Sequence, residues 1–198
     1  MSLITPHGAA SLTPLIATGQ QLADLEAESA TLPSITVSSA AAANAVMLGA
    51  GYFTPLKGYM NRADALSVAT DLKTTDDLFW PVPVLNMVER FDGNVGDRIA
   101  LRDPNVDGAP VIAVMDVTGI ECLSDDDMAL MTREVFGTDD PNHPGVATFN
   151  SQGQVLLSGP IEVLNYSYFQ SDFPGTFRTA MEIRDEIESR GWKRVVAF

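Results

Sequence analysis

The stretch from Gly49 to Asn61, GAGYFTPLKGYMN, constrains the fold more than any other part of the chain. Gly49, Gly51 and Gly58 admit backbone angles closed to other residues, and Pro55 fixes its own. Tyr52, Phe53, Leu56, Tyr59 and Met60 pack a large apolar and aromatic surface into the same few positions. A permissive backbone between bulky anchors reads as a rigid turn fastened into a core. A ligand loop is the sharper reading, but neither phosphate-loop nor dinucleotide spacing is present.

Such a turn needs a core to anchor in. With 198 residues and 45% hydrophobic side chains, the chain can build one domain or one domain with an appendage. No apolar run approaches the roughly 20 residues of a membrane helix. The opening MSLITPHGAA has no basic segment followed by an apolar one, so no secretory leader is read there. Lysine plus arginine total 12 against 26 acidic residues, a net charge of −14. That potential repels phosphate backbones and anionic lipid, which argues against nucleic-acid and membrane partners. Cys122 is the single cysteine. It follows an apolar strand pattern and reads as a buried, inert thiol. A cytoplasmic location fits these features.

Before the turn, Met1 to Ala30 read as an extended arm and then a short helix near Gln20 to Glu28. His7 lies in the arm as a solvent residue. Ser34 to Val37 form a short strand. Ser38 or Ser39 caps a helix through AAAANAVML that Gly49 ends. Beyond the turn, Asn61 caps a helix over RADALSVATDL, with Ala65, Val68 and Leu72 on one face.

Strand patterns follow. LFWPVPVLNMV alternates, but Pro81 and Pro83 cannot donate to a ladder, which predicts an edge or bulged strand. DRIALRD places Ile99 and Leu101 on one face, and RDPNVDG is a turn. PVIAVMDVTGI sets Val111, Ala113, Met115 and Val117 on one side and Ile112 and Val114 on the other, so both faces are predicted covered. Ser124 and Asp127 frame a capping box for SDDDMALMTREVF, whose buried stripe is Met128, Met131 and Val135. Asp125 to Asp127 read as a solvated first turn. QVLLSGPIEVL is a strand pair or one strand bent at Gly159-Pro160. NYSYFQSDFPG reads as an aromatic linker docking on a neighbouring layer. Thr176 to Arg190 form a helix about 22 Å long at ~1.5 Å per residue, with Ala180, Ile183 and Ile187 as its stripe. Gly191 closes it, and VVAF reads as a buried parallel strand of an αβ unit. Such a strand needs neighbours. The residues therefore predict a β-rich α+β body ending near Leu164, a linker, and the start of a second domain that is absent.

No catalytic set emerges. His7 and His143 are the only histidines, and neither sits in a motif pairing it with Cys122 or a serine. GTDDPNHPGV holds Asp139, Asp140 and His143, which together could ligate a metal. Its two prolines and two glycines favour a structured loop, with His143 held extended before Pro144. No catalytic, cofactor-binding or metal residue is assigned.

GYFTPLKGYMN, WPVPV from Trp80, DRIALRDP, GTDDPNHPGV, SGPIEVL and RGWKRVVAF occur in the order and spacing of one family. By these six segments the chain resembles the N-terminal part of ATP sulfurylase (sulfate adenylyltransferase). RDPN, FNSQG and NYSYFQSDFP resemble most the form found in sulfur-oxidising bacteria. The resemblance implies an α+β fold. Residues 1–168 would form a PUA-like twisted β-barrel with surrounding helices. Residues 169–198 would be a linker, helix and first strand of an otherwise absent α/β nucleotidyltransferase domain. In the family, a Q-x-R-N segment and H-x-x-H follow VVAF and hold sulfate and the phosphates of MgATP, which is joined to sulfate to give adenylyl sulfate and pyrophosphate. Phe198 precedes both motifs. The resemblance therefore implies an inactive chain with no cofactor of its own. Its expected partners are the missing catalytic domain of the same protein and further copies of itself in a homo-oligomer. A PUA-like fold also implies an alternative, an RNA-binding module, which the charge opposes.

Overall fold

A computed structural model describes residues 3–196. In chain order the elements are α1 (Gly19–Ser29), β1 (Ser34–Thr36), α2 (Ser39–Gly49), β2 (Gly58–Tyr59), α3 (Arg62–Asp71), β3 (Met87–Val88) and β4 (Arg98–Arg102). They continue with β5 (Val111–Asp116), β6 (Gly119–Cys122), α4 (Asp125–Phe136), α5 (Pro144–Asn150), β7 (Val155–Val163), α6 (Phe169–Asp172) and α7 (Ala180–Ser189). This is the expected α+β architecture, a sheet curled into a half-barrel with helices around it.

β7 is the hub, because it bends. Its first half pairs with β3 and β6, and its second half with β2 and β5. The bend falls at Gly159, at φ +148°. A Cβ there would lie 2.0 Å from the Asp116 carbonyl oxygen, and a Cβ on Gly58 would lie 2.0 Å from that of Gly159. Three backbones thus converge on a corner that only glycines permit. Opposite it, Met115 pairs with Ile161 and Gly119 with Ser158, so three residues face two, a bulge that sharpens the turn. The single long strand read over PVIAVMDVTGI is therefore two, β5 and β6, broken by that corner.

The interior of the curl holds the main core, including Leu48, Ile99, Leu101, Ile112, Met115 and Leu157. On the outer face of β5, Val114 packs with Leu25 of α1, Ala17 and Leu164. Both faces of β5 are covered, as its double apolar pattern requires. The Arg98 guanidinium fastens α1 to the sheet, pairing with Glu28 at 2.7 Å, Asp116 at 2.7 Å and Glu162 at 2.5 Å.

Several expectations change. Gly49 is the last residue of α2; Ala50 is the cap, and Gly51, at φ +83°, turns the chain. WPVPV forms no strand, since its two prolines spoil the ladder; within the longer run Met87 and Val88 form a short strand, and Phe79 makes an isolated bridge to Lys73. FNSQG closes a helix, α5, that Pro144 starts at N1, where its missing N–H costs nothing. The C-terminal helix starts at Ala180, not Thr176, because Thr179 and Glu182 form a capping box there. Val195 and Val196 lie in no strand and are exposed; Ala197 and Phe198, the rest of the expected VVAF strand, fall outside the described residues. Cys122 is exposed rather than buried, because edge strand β6 pairs only with β7 and carries little cover on its outer side. His7 is exposed, as expected, but it is not partnerless: its Nε2 lies 2.8 Å from the Phe79 carbonyl oxygen. Asp127 is buried, unlike its solvated neighbours Asp125 and Asp126.

Candidate functional site

The Gly49–Asn61 turn is anchored at both ends of its aromatic run. Tyr59 is buried and donates its hydroxyl to the Ala41 carbonyl at 2.8 Å, and burial pushes that phenol far above its ordinary range. Thr54 donates to the Gly51 carbonyl at 2.9 Å and accepts from the backbone of Thr13 at 3.0 Å. The arm is thus held against the turn, a link reinforced by Leu15 N–H to the Leu48 carbonyl at 3.2 Å.

The same turn holds the C-terminal segment. Tyr52, 40% exposed, donates its hydroxyl to the Arg178 carbonyl at 2.7 Å. The Ala180 N–H bonds the Ala50 carbonyl at 2.9 Å. Arg184 on α7 donates to the Ile4 carbonyl at 2.8 Å. Arm, turn and α7 therefore meet at one joint, around an apolar groove of about 960 Å³ lined by Leu3, Ile4, Leu12, Tyr52, Ile183, Ile187, Trp192 and Val195 among others. Ile183, expected to be buried, is 37% exposed on this groove.

On the far side of the turn lies a cleft of about 690 Å³, lined by Lys57, Asp64, Asp76, Thr118, Glu121 and Ser158. Two of its carboxylates serve the fold. Glu121 accepts from the Arg62 N–H at 2.8 Å, at the start of α3, and Asp64 accepts from the Thr75 N–H at 2.9 Å and its hydroxyl at 2.6 Å. Three carboxylates against one lysine make the cleft unsuited to a polyphosphate.

Asp139, Asp140 and His143 do not converge. Asp140 accepts from the Asn142 N–H and side-chain amide, both at 2.9 Å, and these bonds hold its carboxyl below the usual range. The His143 ring packs on Phe136, centroids 5.8 Å apart. Among the described residues no group of three His, Cys, Asp or Glu side chains is placed to hold a metal ion.

The linker's aromatic residues pack together. Tyr168 stacks on Phe169 at 4.6 Å, and Phe177 lies 5.2 Å from Tyr166 and 5.8 Å from Phe169. Tyr166, Phe169 and Phe177 press on the main core. Of the conspicuous loops, the turn meets the segment just before α7 through Tyr52 and Arg178, while the 137–146 stretch packs His143 on Phe136 of α4 and runs into α5. The sequence reading missed the arm's part in the joint. Its signal was present in Leu3, Ile4 and Leu12, apolar residues in a segment read only as extended.

Comparison with known proteins matches the PUA-like domain to residues 4–166. The chain is 60% identical to a sulfate adenylyltransferase of Allochromatium vinosum, over 99% of this chain and 50% of that protein. It is 51% identical to that of the sulfur-oxidizing endosymbiont of Riftia pachyptila, over 99% of this chain and 45% of the relative. The chain thus spans about half the length of the curated relatives it matches. A solved structure, a hexameric APS kinase from Thiobacillus denitrificans, superposes with a TM-score of 0.72 over 98% of this chain and 33% of that one, at 24% identity, and shows the same fold.

Proposed function

The chain belongs to the PUA-like domain family, and from that premise we propose that it is the non-catalytic N-terminal part of a sulfate adenylyltransferase. The complete enzyme would join MgATP and sulfate into adenylyl sulfate and pyrophosphate, in the cytoplasm, as part of sulfur metabolism. Residues 1–168 would be its PUA-like domain, and residues 169–198 the linker and helix leading into the catalytic domain. The observation carrying this reading is the end-to-end match to relatives twice as long.

The role of this part is support. Adenylyl transfer rests on holding charged groups in line and stabilising the charge that develops. Such work needs converging cationic or metal-binding groups. The cleft beside the turn offers the opposite sign, and Asp139, Asp140 and His143 form no group placed to hold a metal ion. MgATP would accordingly be held elsewhere in the complete enzyme. No helix among the described residues is long and apolar enough to cross a membrane.

Purified 198-residue protein should form no ATP from adenylyl sulfate and pyrophosphate above the blank. The same polypeptide continued by the second half of the Allochromatium relative should form it. Turnover by the 198 residues alone overturns the reading.

A further inference from the structure

We propose that the groove between the arm, Tyr52 and α7 is the seat of an apolar segment from the second half of the complete protein. This rests on the reading of the chain as a supporting N-terminal part.

The groove concentrates exposed apolar side chains. Twelve large hydrophobic residues are exposed among those described, and five of them, Ile4, Tyr52, Ile183, Trp192 and Val195, line this one concavity. Ile4 is 86% exposed, Val195 54% and Trp192 48%. In a chain of net charge −14, an apolar concentration of this kind marks a surface that another one covers.

The walls are preformed. Three backbone-directed hydrogen bonds hold them: Tyr52 to Arg178, Ala180 to Ala50, and Arg184 to Ile4. Binding would therefore not have to order α7 or the arm, which removes much of the entropic cost of association. Aromatic anchors framing a concavity are the composition of an interface centre.

Two observations choose the occupant. The relatives carry about as many residues again as this chain. Val195 lines the groove, so a polypeptide continuing past it would emerge at the groove's own edge. The second half is thus tethered beside the seat, at a high effective concentration. Once it docks, the arm, the turn and α7 become one buried joint.

Carbene footprinting of two proteins tests this: the 198-residue chain, and the same chain continued by the second half of the Allochromatium relative. In the longer protein, labelling at Ile4, Ile183 and Trp192 should fall at least five-fold, while Val95, 61% exposed and away from the groove, is unchanged. Ile183→Asp should restore labelling at Trp192 in the longer protein and leave the melting temperature of the 198-residue chain unmoved. An active longer protein with the groove still labelled sinks the groove and spares the proposed function. A longer protein that is folded but neither active nor protected sinks both. Concentration-dependent protection in the 198-residue chain, with a dimer mass by light scattering, makes a second copy the occupant and also overturns the proposal.

Discussion

Gly159 carries the fold at a single position. Its φ of +148° is open to glycine and strained for anything else, and the Asp116 carbonyl occupies the space where a Cβ would stand. That oxygen belongs to a strand backbone and cannot step aside without opening the corner. Gly159→Ala should cost at least about 2 kcal/mol, read as a lowered urea midpoint. Gly96 is the control. Its φ is +97°, but nothing lies within 4 Å of an added Cβ, so Gly96→Ala should show only the conformational penalty, about 1 kcal/mol. Equal losses at the two sites would mean that the corner is not close-packed. The sequence marked Gly159-Pro160 as a bend. It did not reveal that the bend is a meeting of three backbones, because Gly58, Asp116 and Gly159 come together only on folding.

At the scale of elements, an ion pair couples α3 to α4. The Arg62 guanidinium donates to Asp127 through Nε at 2.9 Å and Nη2 at 2.7 Å, while Asp127 also accepts the Ser124 N–H at 2.9 Å in the capping box of α4. The hydrogen bond from Arg62, against the cost of burial and with help from Ser124, draws the Asp127 carboxyl down from 3.8 to about 2. A folded-state value below the unfolded one means that the contribution to stability is complete above about pH 4 and is lost as the pH falls through 2. Arg62 is 44% exposed, so solvent screens the pair, and about 1–2 kcal/mol is expected. Asp127→Asn should be less stable than the parent by that amount at pH 6, and the two denaturation curves should converge only as the pH falls below about 2. A constant gap across that range would place the loss in packing instead of charge. The capping box was legible from Ser124 and Asp127 alone. The partner from α3, 65 positions away, was not, since spacing along a chain says nothing about which helix end a distant arginine reaches.

For the whole molecule, charge sets what surfaces can meet. The net charge is −14, and several cations are already committed to acidic partners, Arg98 to three of them. The protein should therefore retain no single-stranded RNA on a filter even at low salt. Retention that falls steeply as salt rises would revive an RNA-binding role for the PUA-like fold.

Local chemistry determined most of the parts. Ser38, Asn61 and Ser124 start helices because a side-chain oxygen satisfies exposed N–H groups within three residues, β4 declares itself by alternation, and β5 by an apolar run on both faces. Those causes act over a few positions and can be read directly. Tertiary structure alone decided that one apolar run is two strands, that Cys122 faces outward, and that the arm, Tyr52 and α7 share a groove. Each of those outcomes depends on which distant backbone arrives alongside, and burial is a property of the assembled surface, not of the residue that carries it.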